Sequence, residues 1–212
     1  MHIGLTQGVL GSYKERVMMR DALTQLLYSR YPVLFAEHGL DVTKSGMAWG
    51  FQHDDGWFAI VDALASVLIA HAPGATAADV KHKMGALRFS LHEGDAFTSG
   101  ACAAAERFSM TVSEMSGRHG ILMVGRQGRW LKTLALGELA GFVPVRSQAP
   151  GACCCSLEDD TVHAGLDSNP SGPQADGAHA FHQAMLKRLH PMTGASGPVN
   201  DQGLMANDTE GT

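Results

Sequence analysis

The sequence predicts an α+β domain with three main helices and a small antiparallel sheet, followed by a largely disordered C-terminal tail. Three observations predict it. Apolar residues recur at helical spacing over three segments, short alternating runs lie between and after them, and the composition changes near residue 150. Residues 1–150 hold 14 Lys/Arg against 13 Asp/Glu, with all three Trp, all three Tyr and seven of the eight Phe. Residues 151–212 hold 2 Lys/Arg against 8 Asp/Glu and are rich in Gly, Pro, Ala and Ser. A segment so poor in large apolar groups cannot offset its ordering entropy.

Residues 1–17 read as an N-terminal arm. The arm either frays from the domain or is not translated, since Lys14-Glu15-Arg16 can be encoded by a purine run of ribosome-binding type ahead of a start at Met18. The domain is expected over 18–145. Met19, Leu23, Leu26, Leu27 and Tyr31 predict a first helix, which Pro32 stops. A second helix is predicted over 56–71, from Phe58, Val61, Leu64, Ala65 and Leu68, with Asp54 or Asp55 as its cap. Thr76 and Asp79 suggest a short helix reaching Met84. Leu87, Phe89 and Leu91 alternate with polar residues, as in a half-buried strand. A third helix is predicted over 97–115. Ile121–Val124 and Trp130–Leu134 then read as a hairpin around a turn at 125–128, before a short helical end at Phe142. Trp49, Phe51 and Trp57 are expected to form one core cluster.

In the tail, 146–212, one helix is predicted over 178–190, with Phe181, Met185, Leu186 and Leu189 on one face and Pro191 at its end. It either docks on the domain or stays isolated and marginal. With so little to bury, residues 151–212 are expected to be removable at little cost in stability.

The formal charge of −5 argues against a protein that grips nucleic acid through bulk charge. No apolar run reaches the roughly 18 residues of a membrane span, and the longest, Phe58 to Ala70, contains Asp62. The first 20 residues lack the apolar stretch of a signal peptide. Four cysteines, three of them consecutive at Cys153–Cys155, do not make a secreted disulfide framework. A cytoplasmic protein with no membrane partner is expected.

His53, Asp54 and Asp55, beside Trp49 and Trp57, form the best polar cluster. It reads either as a divalent-cation site or as a helix cap on a surface loop, the cap being the better reading. Lys81, Lys83 and Arg88 form a basic strip, with His82 and His92 adjacent; it reads either as a grip for phosphate or an acidic protein surface or, the better reading, as a solvated face beside the strand. Arg107, Arg118, Arg126, Arg129 and Lys132 add positive charge nearby. Cys153–Cys155 with His163, and His179 with His182, are weak candidates for a soft metal. Cys102 on an alanine-rich helix reads as packed. No phosphate-binding loop, nucleophile elbow or HExxH helix is present. No cofactor is expected.

The run Arg30-Tyr31-Pro32-Val33-Leu34-Phe35, then Trp49-Gly50-Phe51, then Asp55-Gly56-Trp57-Phe58, then Val80-Lys81-His82-Lys83-Met84-Gly85-Ala86-Leu87-Arg88-Phe89 resembles a family of small uncharacterised proteins of tailed phages and prophages. The resemblance covers roughly residues 28–140. It implies phage origin and action in the cytoplasm of a bacterial host, and no particular activity. The family pattern continues with a Cys-x-x-Cys-Gly knuckle and a later Cys-x-x-His pair, a spacing similar to a four-ligand structural zinc site. Ser113, Ser116, Ala135 and Glu138 stand at those positions here, so zinc is not carried over. The corner is expected to be held by packing of Met115, Ile121, Trp130 and Leu134, or to belong to a decayed member. Together these readings point to an accessory protein, not an enzyme, that binds a host protein or defence complex, including inhibition of the anti-CRISPR type. The alternative is a nucleic-acid-associated module derived from a zinc-knuckle protein. An enzyme using His53, Asp54 and Asp55 is the third reading.

Overall fold

Phe58–His71 (α2) is apolar around nearly its whole circumference, so it must be covered on every side. In the computed structural model, which describes residues 18–125, 130–145 and 171–189, α2 is the centre of the core. Ile60, Val61, Ala63, Leu64, Ala65 and Leu68 are all buried. The fold is α+β, as predicted, with four helices and two small antiparallel sheets.

Asp21–Arg30 (α1) ends where Pro32 forbids another turn, and Tyr31 closes it with a bond from its N–H to Leu27 O. Leu27, Leu34, Phe35, Phe51 and Trp57 then pack into the same core as α2. A short 3-10 turn, Asp55–Trp57, leads into α2.

The short helix expected from Thr76 to Met84 is a strand instead. Ala77–Lys83 (β1) pairs antiparallel with Ala86–Leu91 (β2), with Lys81 opposite Arg88 and Lys83 opposite Ala86. The reason is the two-residue loop. Met84 has φ +52° and Gly85 φ +81°, and positive φ at both positions is the type I′ geometry that matches strand twist. Gln52 bridges the other edge of β1, accepting from His82 N and donating its own N–H to Val80 O.

Ala96–Ser109 (α3) starts at a reciprocal cap. The Asp95 carboxylate accepts from Thr98 N at 2.8 Å, and Thr98 Oγ1 accepts from Asp95 N at 2.8 Å. It stops at Ser109, short of the expected Met115, because residues 110–120 fold into turns over the second sheet. That sheet has the order β4-β3-β5, from Ile121–Gly125 (β3), Leu131–Leu134 (β4) and Phe142–Pro144 (β5). The short helical end expected at Phe142 is therefore an edge strand paired with β3.

Pro173–Leu189 (α4) begins five residues before the expected helix, with Pro at its first position, where the missing N–H costs nothing. It docks. Phe181 and Met185 are buried in the core cluster. Its axis lies almost on α3: a Cβ on Gly100 would sit 1.9 Å from Gln174 O, and one on Gly177 would sit 1.9 Å from Phe97 O. Ala101, Ala104 and Ala105 keep that side of α3 low enough for the approach. Arg188 then reaches the buried Asp62 of α2, with Nε 2.7 Å from Oδ2 and Nη2 2.9 Å from the Asp62 carbonyl. The domain boundary expected at 145 is thus corrected, since residues 173–189 belong to the folded body. The expectations for the arm at 1–17, for 146–170 and 190–212, for Cys153–Cys155 with His163, for the turn at 126–128 and for Arg126 and Arg129 fall outside the described residues. No helix among the described residues is long and apolar enough to cross a membrane.

This packing reverses the expected dispensability of the C-terminal region. Phe181→Ala should cost roughly 3–5 kcal/mol in urea denaturation, the usual range for a buried aromatic. Truncation after Pro150 should cost at least as much, because it bares the α2–α3 groove as well.

Candidate functional site

Strand alternation places Lys81, Lys83 and Arg88 on one outward face of the β1–β2 hairpin, while Val80, Leu87 and, mostly, His82 point inward. Lys81 is ion-paired with Asp79 on its own strand, and Arg88 with Glu106 of α3. Lys83 has no carboxylate within ion-pair distance among the described residues. The strip predicted from sequence therefore exists but carries one uncompensated cation rather than three.

Two exposed tryptophans lie in segments that touch the hairpin. On one side Gln52 Nε2 donates to Asp79 Oδ1 at 3.4 Å, and three residues before it Trp49 is 59% exposed. At the tip, on the inward side, His82 Nε2 lies 2.9 Å from Leu131 O and 3.1 Å from Gly85 N, and Thr133 Oγ1 donates to Gly85 O at 2.6 Å. Trp130, adjoining Leu131, is 63% exposed. Trp57 alone is fully buried, its Nε1 donating to Val112 O at 2.9 Å. The expected three-aromatic cluster is thus corrected: Phe51 and Trp57 are inside and Trp49 is outside. Trp49 ends a 3-10 turn, Gly46–Trp49, and Gly50, at φ +72°, closes that turn before the segment that carries Phe51 inward.

His53, Asp54 and Asp55 do not act together. Asp55 turns to Arg20, pairing with its guanidinium and accepting from its N–H at 2.8 Å. Asp54 turns to Lys132 of β4, with Oδ2 3.2 Å from Nζ. His53 is wholly buried; its Nδ1 lies 2.9 Å from Asp54 O and its Nε2 has no partner. Each carboxylate is committed to a different cation, which removes the divalent-cation reading of Asp54 and Asp55. Nor does either side chain cap a helix. Among the described residues no group of three or more His, Cys, Asp or Glu is placed to hold a metal ion.

Behind Asp54 lies a buried polar centre that the sequence reading missed. Lys132 Nζ sits 3.1 Å from Glu114 Oε1, and Glu114 Oε2 is 3.8 Å from His82 Nε2. Glu114 is fully buried, and neither of its oxygens has a well-aligned hydrogen bond, so Lys132 compensates it mainly as a charge. Burial alone would lower the Lys132 ammonium; the Glu114 and Asp54 carboxylates outweigh it and hold the group above its ordinary value. Burial pushes the Asp54 carboxyl up to about 6, with Glu114 adding to the rise and Lys132 opposing it. Burial takes His53 down to about 4 and lowers His82 as well. Period-two reading of β4 would have found Lys132, which shares a face with buried Leu134; nothing around Glu114 announced it.

The corner formed by residues 113–118 and 135–138 is also closed by a charge. The Glu138 carboxylate takes the Ser113 hydroxyl on Oε2, accepts from Ala135 N at 2.9 Å and reaches Arg118 Nη2 at 3.3 Å. Ser113 Oγ in turn accepts from Met115 N and Ser116 N, each at 3.3 Å. Burial would raise the Glu138 carboxyl, but these donors hold it below its ordinary value. The expectation of a corner packed around Trp130 is corrected, because that indole lies outside and a hydrogen-bonded carboxylate takes its place.

With this geometry in place, comparison gives a plain result. The chain matches no protein-family model, no curated protein and no solved structure. The chemistry of its own residues must carry the functional argument. Two exposed imidazole–carboxylate pairs, His71–Asp95 and His92–Glu37, have Nε2 2.7 Å from the acid. Neither has a Ser, Thr or Cys hydrogen-bonded to its ring among the described residues. Cys102 is half-buried, and burial pushes its thiol up to about 12, so it is a poor nucleophile.

Two outcomes test the buried centre. Glu114→Gln should cost roughly 3–5 kcal/mol, the range for breaking a buried pair, and combining it with Lys132→Met should cost clearly less than the two single changes added together. The second outcome concerns pH. Below its unfolded value near 6.5, His53 is charged in the unfolded chain but neutral in the fold down to about 4. Unfolding then takes up a proton, and stability falls as pH falls. Asp54 has the opposite sign: between 3.8 and about 6 it is protonated in the fold and ionised in the unfolded chain, so its contribution grows as pH falls. Asp54→Asn removes that offset. Its melting temperature should drop more steeply than that of the wild type between pH 6.5 and 4.5, as read by circular dichroism.

Proposed function

We propose that the chain is a phage or prophage accessory protein that works by binding a host protein, through the surface of the β1–β2 hairpin and the adjoining Trp49 and Trp130. Inhibition of a host defence complex, of the anti-CRISPR type, falls within this class. The observation that carries the reading is the exposure of two of the three tryptophans, Trp49 and Trp130, in segments that touch the β1–β2 hairpin. Tryptophan is highly buried on average, and its indole is among the commonest energetic anchors of protein interfaces. The phage origin rests on the sequence resemblance at Tyr31-Pro32, Trp49-Gly50-Phe51, Asp55-Gly56-Trp57 and the hairpin run. Two of the three cations of the strip are spent on internal carboxylates, which favours a protein partner over a nucleic-acid backbone.

A pull-down from bacterial host lysate with the wild type and a Trp49→Ala, Trp130→Ala variant tests it. Both substitutions sit on exposed side chains, so the variant should stay folded. The wild type should retain one protein at near-equal stoichiometry, and the variant should lose it. Nucleic acid in the eluate, or equal retention by both proteins, would contradict the reading.

A further inference from the structure

The tip of the β1–β2 hairpin spends conformational energy on a methionine. Met84 is the one non-glycine residue with positive φ among the described residues, at +52°. A side chain there crowds its own carbonyl, which is why Asn, Asp and Gly dominate this position of type I′ turns. Met84 brings no compensating burial, since it is 64% exposed. An apolar side chain held out in a strained backbone position is a reason to look for a contact outside the molecule.

The tip is also rigid. Gly85 O accepts from Thr133 Oγ1 at 2.6 Å, and His82 Nε2, on the inward face, reaches Leu131 O at 2.9 Å. A Cβ on Gly85 would lie 2.4 Å from Leu122 Cδ1, so the turn is pressed against β3 and β4. A side chain presented on such a support loses little backbone entropy on docking. Its sequence neighbour is Lys83, without a carboxylate partner among the described residues.

We infer that Met84 is the anchor of the binding face, inserting into an apolar pocket of a partner protein whose rim carries Asp or Glu to meet Lys83. This rests on the binding reading above and names the partner's chemistry. Met suits the role, because its unbranched thioether adapts to irregular pockets. The strain at position 84 then has a function: binding depends on a residue that folding alone would not choose.

The test separates strain from binding. A photo-crosslinking amino acid is placed at Met84, or at exposed Leu186 of α4 as control, and activated in bacterial host cells; the crosslinked protein is identified by mass spectrometry and purified. It should be reached from position 84 and not from 186. In titration it should bind Met84→Asn and Lys83→Glu at least roughly tenfold more weakly than wild type, about 1.4 kcal/mol. Met84→Asn supplies the Asn-Gly pair the turn favours, so it should melt higher than wild type while binding worse. A purified partner that binds Met84→Asn as tightly as wild type, or a variant that melts lower, overturns this inference and leaves the binding reading standing. Crosslinking to nucleic acid alone, or to no protein, overturns both.

Discussion

Asp62 is the interaction on which the rest of the structure depends. It is the only charged side chain within α2, and its carboxylate is nearly closed to solvent. Tyr31 donates to it at 2.8 Å, Arg30 at 3.0 Å and Arg188 at 2.7 Å. Burial would raise this carboxyl, yet the three donors hold it below its usual range, while burial and the neighbouring charge push the Tyr31 phenol up to about 12. One acid thereby ties together the end of α1, the central helix and a helix 126 residues further along the chain. A charge buried in an apolar helix is tolerable only when paired and hydrogen-bonded. The site therefore demands α4 as much as α4 demands the site.

With the helices fixed in this way, the hairpin has a firm floor. Its inner face, through Val80 and Leu87, belongs to the core, and its tip is bonded to β4. The buried Glu114–Lys132 pair joins the second sheet to the loop that carries Asp54. The Glu138 carboxylate closes the far corner. Asp62, Glu114 and Glu138 thus cross-link the fold as buried or half-buried carboxylates. Around the hairpin the described residues expose the indoles of Trp49 and Trp130 and the thioether of Met84, and Lys83 has no ion-pair partner among them.

The parts legible in the sequence were those set by local pattern. The core face of α2 and the alternation of β2 fix their elements without help from distant residues, and the hairpin of β3 and β4 followed from the same logic. The parts that were not legible depend on remote contacts or on a single backbone angle. The strand at 77–83 was read as a helix because Thr76 and Asp79 imitate a cap, whereas the positive φ at Met84 and Gly85 decides the matter. The docking of α4 depends on two glycines, Gly100 and Gly177, that meet only in space. Trp49 of the expected cluster ends a 3-10 turn closed by Gly50 and faces solvent. Lys81, Lys83 and Arg88 do share a face, but the pairing of Lys81 with Asp79 and of Arg88 with Glu106 depends on side-chain placement and on the position of α3.

Which tryptophans face outward can be measured directly. Three variants, each keeping one Trp and carrying Phe at the other two positions, can be compared by acrylamide quenching of fluorescence. The structure predicts strong quenching and red-shifted emission for Trp49 and for Trp130, and weak quenching with blue-shifted emission for Trp57. If Trp49 or Trp130 proved as protected as Trp57 in the isolated protein, that indole would be covered by the chain itself, and the binding surface described above would not exist.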